Sequence, residues 1–299
     1  MIKKTLYFGN PCKLSKSDLQ LKISRDEHQD VTIPIEDIGM IVMDHFQIRL
    51  SHSLLMYLME NNVAIISCND KHLPEGLMLP MTGHHAFTEK VNSQVNISEP
   101  LRKNLWQQTV ISKIRNQAAL LSYHDLNAEP LLYFAEKVRS GDPDNLEGRA
   151  ASTYWSELFA QIRDFKRGRF ENPPNNLLNY GYAILRGVIA RSLVGSGLMT
   201  FMGIHHRNKY NSYVLADDIM EPYRPFVDQI VLDIIEEEKE IEELTPSLKQ
   251  KLLKIPAIDV QIDNQNSPLM IAARRTTSSL MRCMEGIERK IIYPVFSMN

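Results

Sequence analysis

The hydrophobic period of this chain changes once, near residue 99, and that change limits the folds open to it. Before it, apolar residues alternate or cluster in short runs, as in strands; after it, they recur every three or four positions, as on helices. Residues 18–24, Asp-Leu-Gln-Leu-Lys-Ile-Ser, alternate with period two, and Lys4–Gly9 does so weakly. Val31–Ile35, Gly39–Met43 and Val63–Ser67 are short apolar or β-branched runs of strand length. Ser51–Asn61 breaks the pattern with Leu54, Leu55, Leu58 and Met59, a helical spacing that Ser51 or Ser53 caps. A strand–helix–strand unit in a β-rich segment predicts a small α+β domain over residues 1–80.

Residues 72–85 hold Pro74, Gly76, Pro80 and Gly83 with little periodicity, which predicts a boundary, and residues 81–98 are expected to be a linker. Glu99-Pro100 then opens a long helix with Leu101, Leu105, Val110 or Ile111, Ile114, Ala118 and Leu121 on one face and Lys103, Lys113 and Arg115 on others. Further helices are expected over residues 131–139, from Asp144 or Asn145 to Phe165, and over 177–198, 223–243, 245–253 and 267–292. The fold class is therefore α+β, with the small β-rich domain followed by an all-α domain over residues 99–299.

Three scattered cysteines, Cys12, Cys68 and Cys283, support neither a disulfide framework nor a zinc site. With no signal-peptide pattern and no apolar run long enough to span a bilayer, a cytoplasmic location without membrane association is expected. Net charge is −2, which on average disfavours nucleic acid. Residues 233–243, however, hold seven acids and one lysine, a net −6, so the rest of the chain carries +4. A basic face is thus permitted.

The chemistry concentrates in residues 203–228. His205 and His206 lead; Asp217, Asp218 and Glu221 follow, then Pro222, Arg224 and Pro225. Imidazole and carboxylates together can hold a divalent ion for phosphoryl transfer, which needs oxygen-rich ligands and open coordination positions. Asp218 and Glu221, three residues apart, share a helix face, and Glu147 from another helix could join them. The plainer alternative is that Asp217 and Asp218 cap a helix and Glu221 meets its dipole. His124-Asp125 resembles the pair found in metal phosphohydrolases, although a lone dipeptide is common. Residues 166–176 form a loop mixing Lys166, Arg167, Arg169 and Phe170, a composition suited to phosphate contact and base stacking as well as to plain solvation.

Gly203-Ile-His-His-Arg-Asn-Lys-Tyr-Asn, Leu215-Ala-Asp-Asp-Ile-Met-Glu-Pro-Tyr-Arg-Pro-Phe-Val-Asp and Glu147-Gly-Arg-Ala-Ala resemble the blocks of the CRISPR-associated integrase, the larger of the two universal spacer-acquisition proteins. The double histidine and the following Asn-x-x-Asn are similar to the form accompanying type II effector nucleases. The resemblance spans essentially the whole chain. It implies a Mg²⁺- or Mn²⁺-dependent DNA integrase and endonuclease that inserts short fragments into a CRISPR array by 3′-hydroxyl transesterification. It also implies Glu147, His206 and Glu221 as catalytic ligands, Asp218 as an additional metal ligand, and His205 and Asp217 as supporting residues. Double-stranded DNA, as prespacer and as CRISPR repeat, would meet Arg149, Lys166, Arg167, Arg169, Arg186, Arg207, Lys209 and Arg224. The implied partners are a second copy of the chain through its β-rich domain, a small second acquisition protein completing a heterohexamer, and the type II effector nuclease. A generic metal phosphohydrolase and a non-catalytic DNA-binding subunit are the competing readings.

Overall fold

A computed structural model describes residues 3–168, 170–238 and 241–297. The chain divides into two compact units, residues 1–85 and 86–299.

Among the described residues, the first unit holds two sheets, one α-helix and a 3-10 turn, Ile35–Asp37. Strands β1 (Lys4–Phe8), β2 (Lys13–Ser17), β3 (Gln20–Ser24), β4 (Val31–Pro34), β5 (Ile38–Met43) and β6 (Arg49–Leu50) precede helix α1 (His52–Glu60), then β7 (Ala64–Cys68) and β8 (Pro74–Met78). One sheet runs β1-β5-β7-β8, parallel except for the antiparallel β7–β8 pair; the other runs β4-β3-β2-β6. β5 reads as unbroken apolar sequence because it is central and parallel on both sides, so both of its faces are covered. Leu14, Leu21, Ile38, Ile41, Leu54, Leu58 and Ile65 form part of the core. Ser51 caps α1 by accepting the Leu54 N–H at 3.4 Å. β8 lies within the expected boundary segment; as an edge strand it tolerates Pro74 and Gly76.

The second unit begins earlier than the expected linker's end. Residues 81–98 include helix α2 (Phe87–Val95), whose polar sequence hides a buried anchor. The Gln94 amide donates to the carbonyls of Met199 and Met202 and accepts the Met199 N–H at 2.8 Å. The remaining helices are α3 (Glu99–Tyr123), α4 (Glu129–Lys137), α5 (Leu146–Leu158), α6 (Asn175–Gly195), α7 (Val214–Met220), α8 (Arg224–Glu237), α9 (Pro246–Leu252) and α10 (Leu269–Met284). The unit is not wholly helical: β9 (Asp259–Ile262) and β10 (Gln265–Pro268) form a hairpin, so the last helix starts after Pro268. α5 stops at Leu158, short of the expected Phe165.

α6 is buried on nearly every side, as a central helix must be. Its Gly181 lets α8 come close, since a Cβ there would lie 2.5 Å from Val227 Cγ1. α3 packs against α4, α5 and the segment joining α7 to α8. That placement brings three distant stretches of sequence to one helix face.

Candidate active site

Each functional side chain is set by a local device. Glu147 lies in the first turn of α5. The expected caps, Asp144 and Asn145, do not serve: Asp144 pairs with Arg139 at 2.8 Å, and Asn145 sits at φ +50° with no side-chain cap bond. The Asp142 carboxylate accepts the N–H groups of Leu146 and Glu147, both at 2.9 Å, and fixes the backbone that carries Glu147.

His205 and His206 occupy the loop ahead of α7. Its tightest point is Gly203, where a Cβ would lie 2.7 Å from the His206 carbonyl and 2.8 Å from Asp218 Oδ2. Asp218 is fully buried and organises that loop. Its Oδ2 accepts the N–H groups of Ile204 (2.8 Å) and His205 (3.0 Å), and its Oδ1 accepts His206 Nδ1–H at 2.6 Å. A carboxylate only accepts, so the proton sits on Nδ1 and the lone pair on Nε2. The Asp218 hydrogen bond raises the His206 pKa against burial, and the nearby charges of Asp218, Glu221 and Glu147 reinforce it.

Glu221 opens a single 3-10 turn, Glu221–Tyr223, between α7 and α8. Arg224 Nε lies 2.9 Å from its Oε1, and Lys113 Nζ lies 2.6 Å from its Oε2. Burial raises the Glu221 pKa, but Arg224 and Lys113 outweigh it and the net shift is downward. Lys113 is thus the partner of Oε2, as Arg224 is of Oε1.

Lys113 was legible only as a polar residue of α3. It is 6% exposed, and its ammonium also contacts Glu147 Oε1. Burial pulls its pKa down; Glu221 and Glu147 more than reverse this, so the group stays charged. Seven residues earlier on α3, Trp106 stacks flat on His205, with ring centroids 4.2 Å apart, and meets His206 edge-on. Burial and then the neighbouring His206 lower the His205 pKa. Asn116, three residues after Lys113, donates to the Pro222 carbonyl at 2.7 Å, just past Glu221. One face of α3 therefore touches all three segments.

Glu147, His206 and Glu221 gather at this face. Asp218 does not offer a coordinating oxygen: both of its oxygens are committed to the loop and to His206. Asp217 faces elsewhere, held by Arg186 at 2.7 and 3.0 Å and by Asn211 at 2.7 Å. Among the described residues, no group of three or more His, Cys, Asp or Glu side chains stands close enough together to hold a metal ion. The donor chemistry is nonetheless of the kind a hard divalent ion takes: two carboxylates, both reached by the Lys113 ammonium, and an imidazole whose tautomer is fixed by a carboxylate.

The predicted DNA-contacting cations separate into two groups. Arg149, Lys166, Arg207 and Lys209 are exposed, as is Arg186, which carries an ion pair as well. Arg186 is paired with Asp217, and Arg224 with Glu221; Arg224 also lies over the Tyr182 ring at 4.5 Å. Arg167 donates to Asn175 at 2.9 Å and also lies over Tyr182. Arg169 lies outside the described residues. Behind Tyr182, Asp228 accepts hydrogen bonds from Tyr182 at 2.5 Å and Tyr154 at 2.7 Å; burial raises its pKa to about 6 despite them. His124 Nε2 bonds Gln229 at 2.8 Å, and Asp125 sits at φ +55° beyond the end of α3.

A family model described as CRISPR associated protein Cas1 matches residues 6–255. A CRISPR-associated endonuclease Cas1 of Neisseria meningitidis serogroup C (strain 8013) is 37% identical over 281 residues, 93% of this chain and 91% of that one. Three solved structures share the fold. A casposase bound to integration product superposes with TM-score 0.79 at 19% identity, covering 97% of this chain and 92% of that one. A Cas1 protein from Thermotoga maritima has TM-score 0.79 at 17% identity, covering 99% and 100%. A chain of a Cas6-RT-Cas1–Cas2 complex has TM-score 0.76 at 17% identity, covering 99% of this chain and 36% of that one.

Proposed function

The chain belongs to the Cas1 family of CRISPR-associated proteins, and from that premise we propose that it is a metal-dependent DNA integrase that inserts short duplexes into a CRISPR array. The observation carrying this reading is the gathering of Glu147, Glu221 and an Asp218-oriented His206 at one face of α3. Glu147, His206 and Glu221 would hold Mg²⁺ or Mn²⁺. Bound there, the ion would offset negative charge on the reacting phosphate and favour ionisation of the attacking hydroxyl.

The residues of the chain do the rest. Asp218 keeps the Nε2 lone pair of His206 available, and Trp106 stacks on His205. Lys113 and Arg224 keep Glu221 ionised at neutral pH. Arg149, Lys166, Arg207 and Lys209 would position the DNA backbone through its phosphates. The reaction exchanges one phosphodiester for another. The 3′ oxygen of the incoming strand bonds to phosphorus, the repeat strand's 3′ oxygen leaves, and one proton passes from the first to the second through solvent. No energy source or protein nucleophile is required. Strand nicking is the same step with water as the attacking group.

A Cas1–Cas2 complex among the fold relatives supports a small second acquisition protein as partner. The β-rich unit is the proposed dimer surface; it exposes Leu19, Val31, Phe46 and Met56. The heterohexamer and a link to the type II effector nuclease extend that proposal.

Half-site integration into a supercoiled plasmid carrying the neighbouring repeat, with Mn²⁺ and the small partner, tests the reading. Glu221→Ala and Glu147→Ala should abolish strand transfer and leave DNA binding largely intact. Full transfer by either variant would refute it. A small-molecule phosphohydrolase centred on His124 and Asp125 has little support, since His124 is engaged by Gln229.

A further inference from the structure

Lys113 brings to the site a charge that the proposed ligand set does not use. A buried ammonium is costly unless paired, and here two carboxylates pair it. They are the two that the proposed function assigns to the divalent ion, so one ammonium and one ion would draw on the same oxygens. Two carboxylates, Glu147 and Glu221, already face two cations, Lys113 and Arg224. An added divalent ion would meet two glutamates whose charge Lys113 and Arg224 already offset, leaving Asp218 as the further carboxylate at the site.

The surroundings divide what is fixed from what can move. α3 is pinned on either side of Lys113: Asn116 holds the Pro222 carbonyl, and Thr109 shares a 2.8 Å hydrogen bond with Tyr293. The ammonium itself sits at the end of a four-carbon stem with several rotatable bonds. Its contact with Glu221 Oε2, at 2.6 Å, is an ion pair made at the end of that stem. Such a contact can be surrendered without rearranging backbone.

We propose that Lys113 is a built-in counter-ion: it keeps Glu147 and Glu221 convergent when no ion is bound, and it competes with the divalent ion for them, thereby setting the metal affinity of the protein. The inference rests on the assignment of those glutamates as ligands. Lys113 acts here as a positioning residue, through the two carboxylates rather than on the DNA.

The test is a Mn²⁺ titration of the full chain without DNA, followed by the electron paramagnetic resonance signal of free Mn²⁺. It compares the wild type with Lys113→Met, Lys113→Gln and Glu221→Gln. Removing a like charge within a few ångströms of a divalent ion should tighten binding by at least about tenfold in Lys113→Met. Thermal unfolding supplies the second readout. Without metal, Lys113→Met should melt below the wild type, and saturating Mn²⁺ should raise its Tm by more than it raises that of the wild type. If Lys113→Met does not fold without metal, Lys113→Gln carries both measurements. Equal or weaker binding by the lysine variants, with wild-type binding lost in Glu221→Gln, would overturn the competition while leaving the ligand assignment standing. Wild-type binding unchanged in Glu221→Gln would overturn the ligand assignment and this inference together.

Discussion

His206 Nδ1 donates to Asp218 Oδ1 across 2.6 Å, so a buried carboxylate determines which imidazole nitrogen faces the site. Asp218→Asn should cut Mn²⁺-dependent strand transfer by roughly 10- to 100-fold, the usual cost of losing a carboxylate behind a ligating histidine. It should also move the acid limb of the pH profile. Asp218 raises the His206 pKa, and a protonated ring cannot ligate, so removing that charge shifts the limb to lower pH. Single-turnover transfer against pH reads both effects. An acid limb that stays in place would detach Asp218 from His206.

Gly203→Ala probes the loop behind the same pair. The added methyl would meet Val214 Cγ1 at 2.6 Å as well as the His206 carbonyl and Asp218, two groups with little room to retreat. We expect a loss of about 1–3 kcal/mol in chemical unfolding. Transfer activity should fall further than stability does, because the strain lands on the histidine. A variant with wild-type activity would show that the loop tolerates displacement.

The split among the cations makes a prediction about salt. Charge reversal of exposed Lys166, Arg207 or Lys209 should weaken DNA binding and flatten its dependence on log salt by about 0.9 for each phosphate that is no longer neutralised. Alanine at Arg186 should change the slope less, since that side chain is engaged by Asp217. Fluorescence anisotropy from low to moderate salt separates the two groups. An unchanged slope after reversing Lys166 would remove it from the DNA path.

Asp228 gives a stability prediction with a definite sign. Its folded pKa, about 6, lies above the ordinary 3.8, so between those values the folded state holds a proton that the unfolded state has lost. Stability therefore falls as pH rises through that window, by on the order of 3 kcal/mol for this group, and levels off above it. Asp228→Asn should lack that component. Wild-type and variant denaturation curves compared from about pH 4 to about pH 7 should diverge in the variant's favour. Parallel curves would contradict a proton on Asp228.

Residue chemistry left residues 203–228 open between a metal site and a helix start, and it was the resemblance of the sequence blocks that singled out Glu147, His206 and Glu221. Their supports were harder to see. Trp106 and Lys113 fall outside the apolar series Leu105, Ile114, Ala118 and Leu121, yet both are buried. Their partners lie 34 to 108 residues away along the chain, which no local period encodes. The same holds for Asp142, whose capping role depends on an Asn145 backbone turn that composition does not announce. In the fold, the alternating and apolar strands were evident. β2, Lys-Leu-Ser-Lys-Ser, was not: its one buried side chain is Leu14, and its pairing with β3 and β6 is set by tertiary placement. α2 mixes Phe87, Val91 and Val95 with polar residues, and the side chain it buries is the polar Gln94, joined by the Lys90–Glu285 ion pair.

The single face of α3 that touches Trp106's histidine, the two glutamates and the Pro222 carbonyl has a consequence for portability. A fragment spanning residues 141–237 would retain every side chain proposed to coordinate, and Asp218 behind His206, but would lose Trp106, Lys113 and Asn116. The centre is not a cassette borne by its motif blocks. Grafting it onto another scaffold would mean transplanting the helix 99–123 first and the signature residues second.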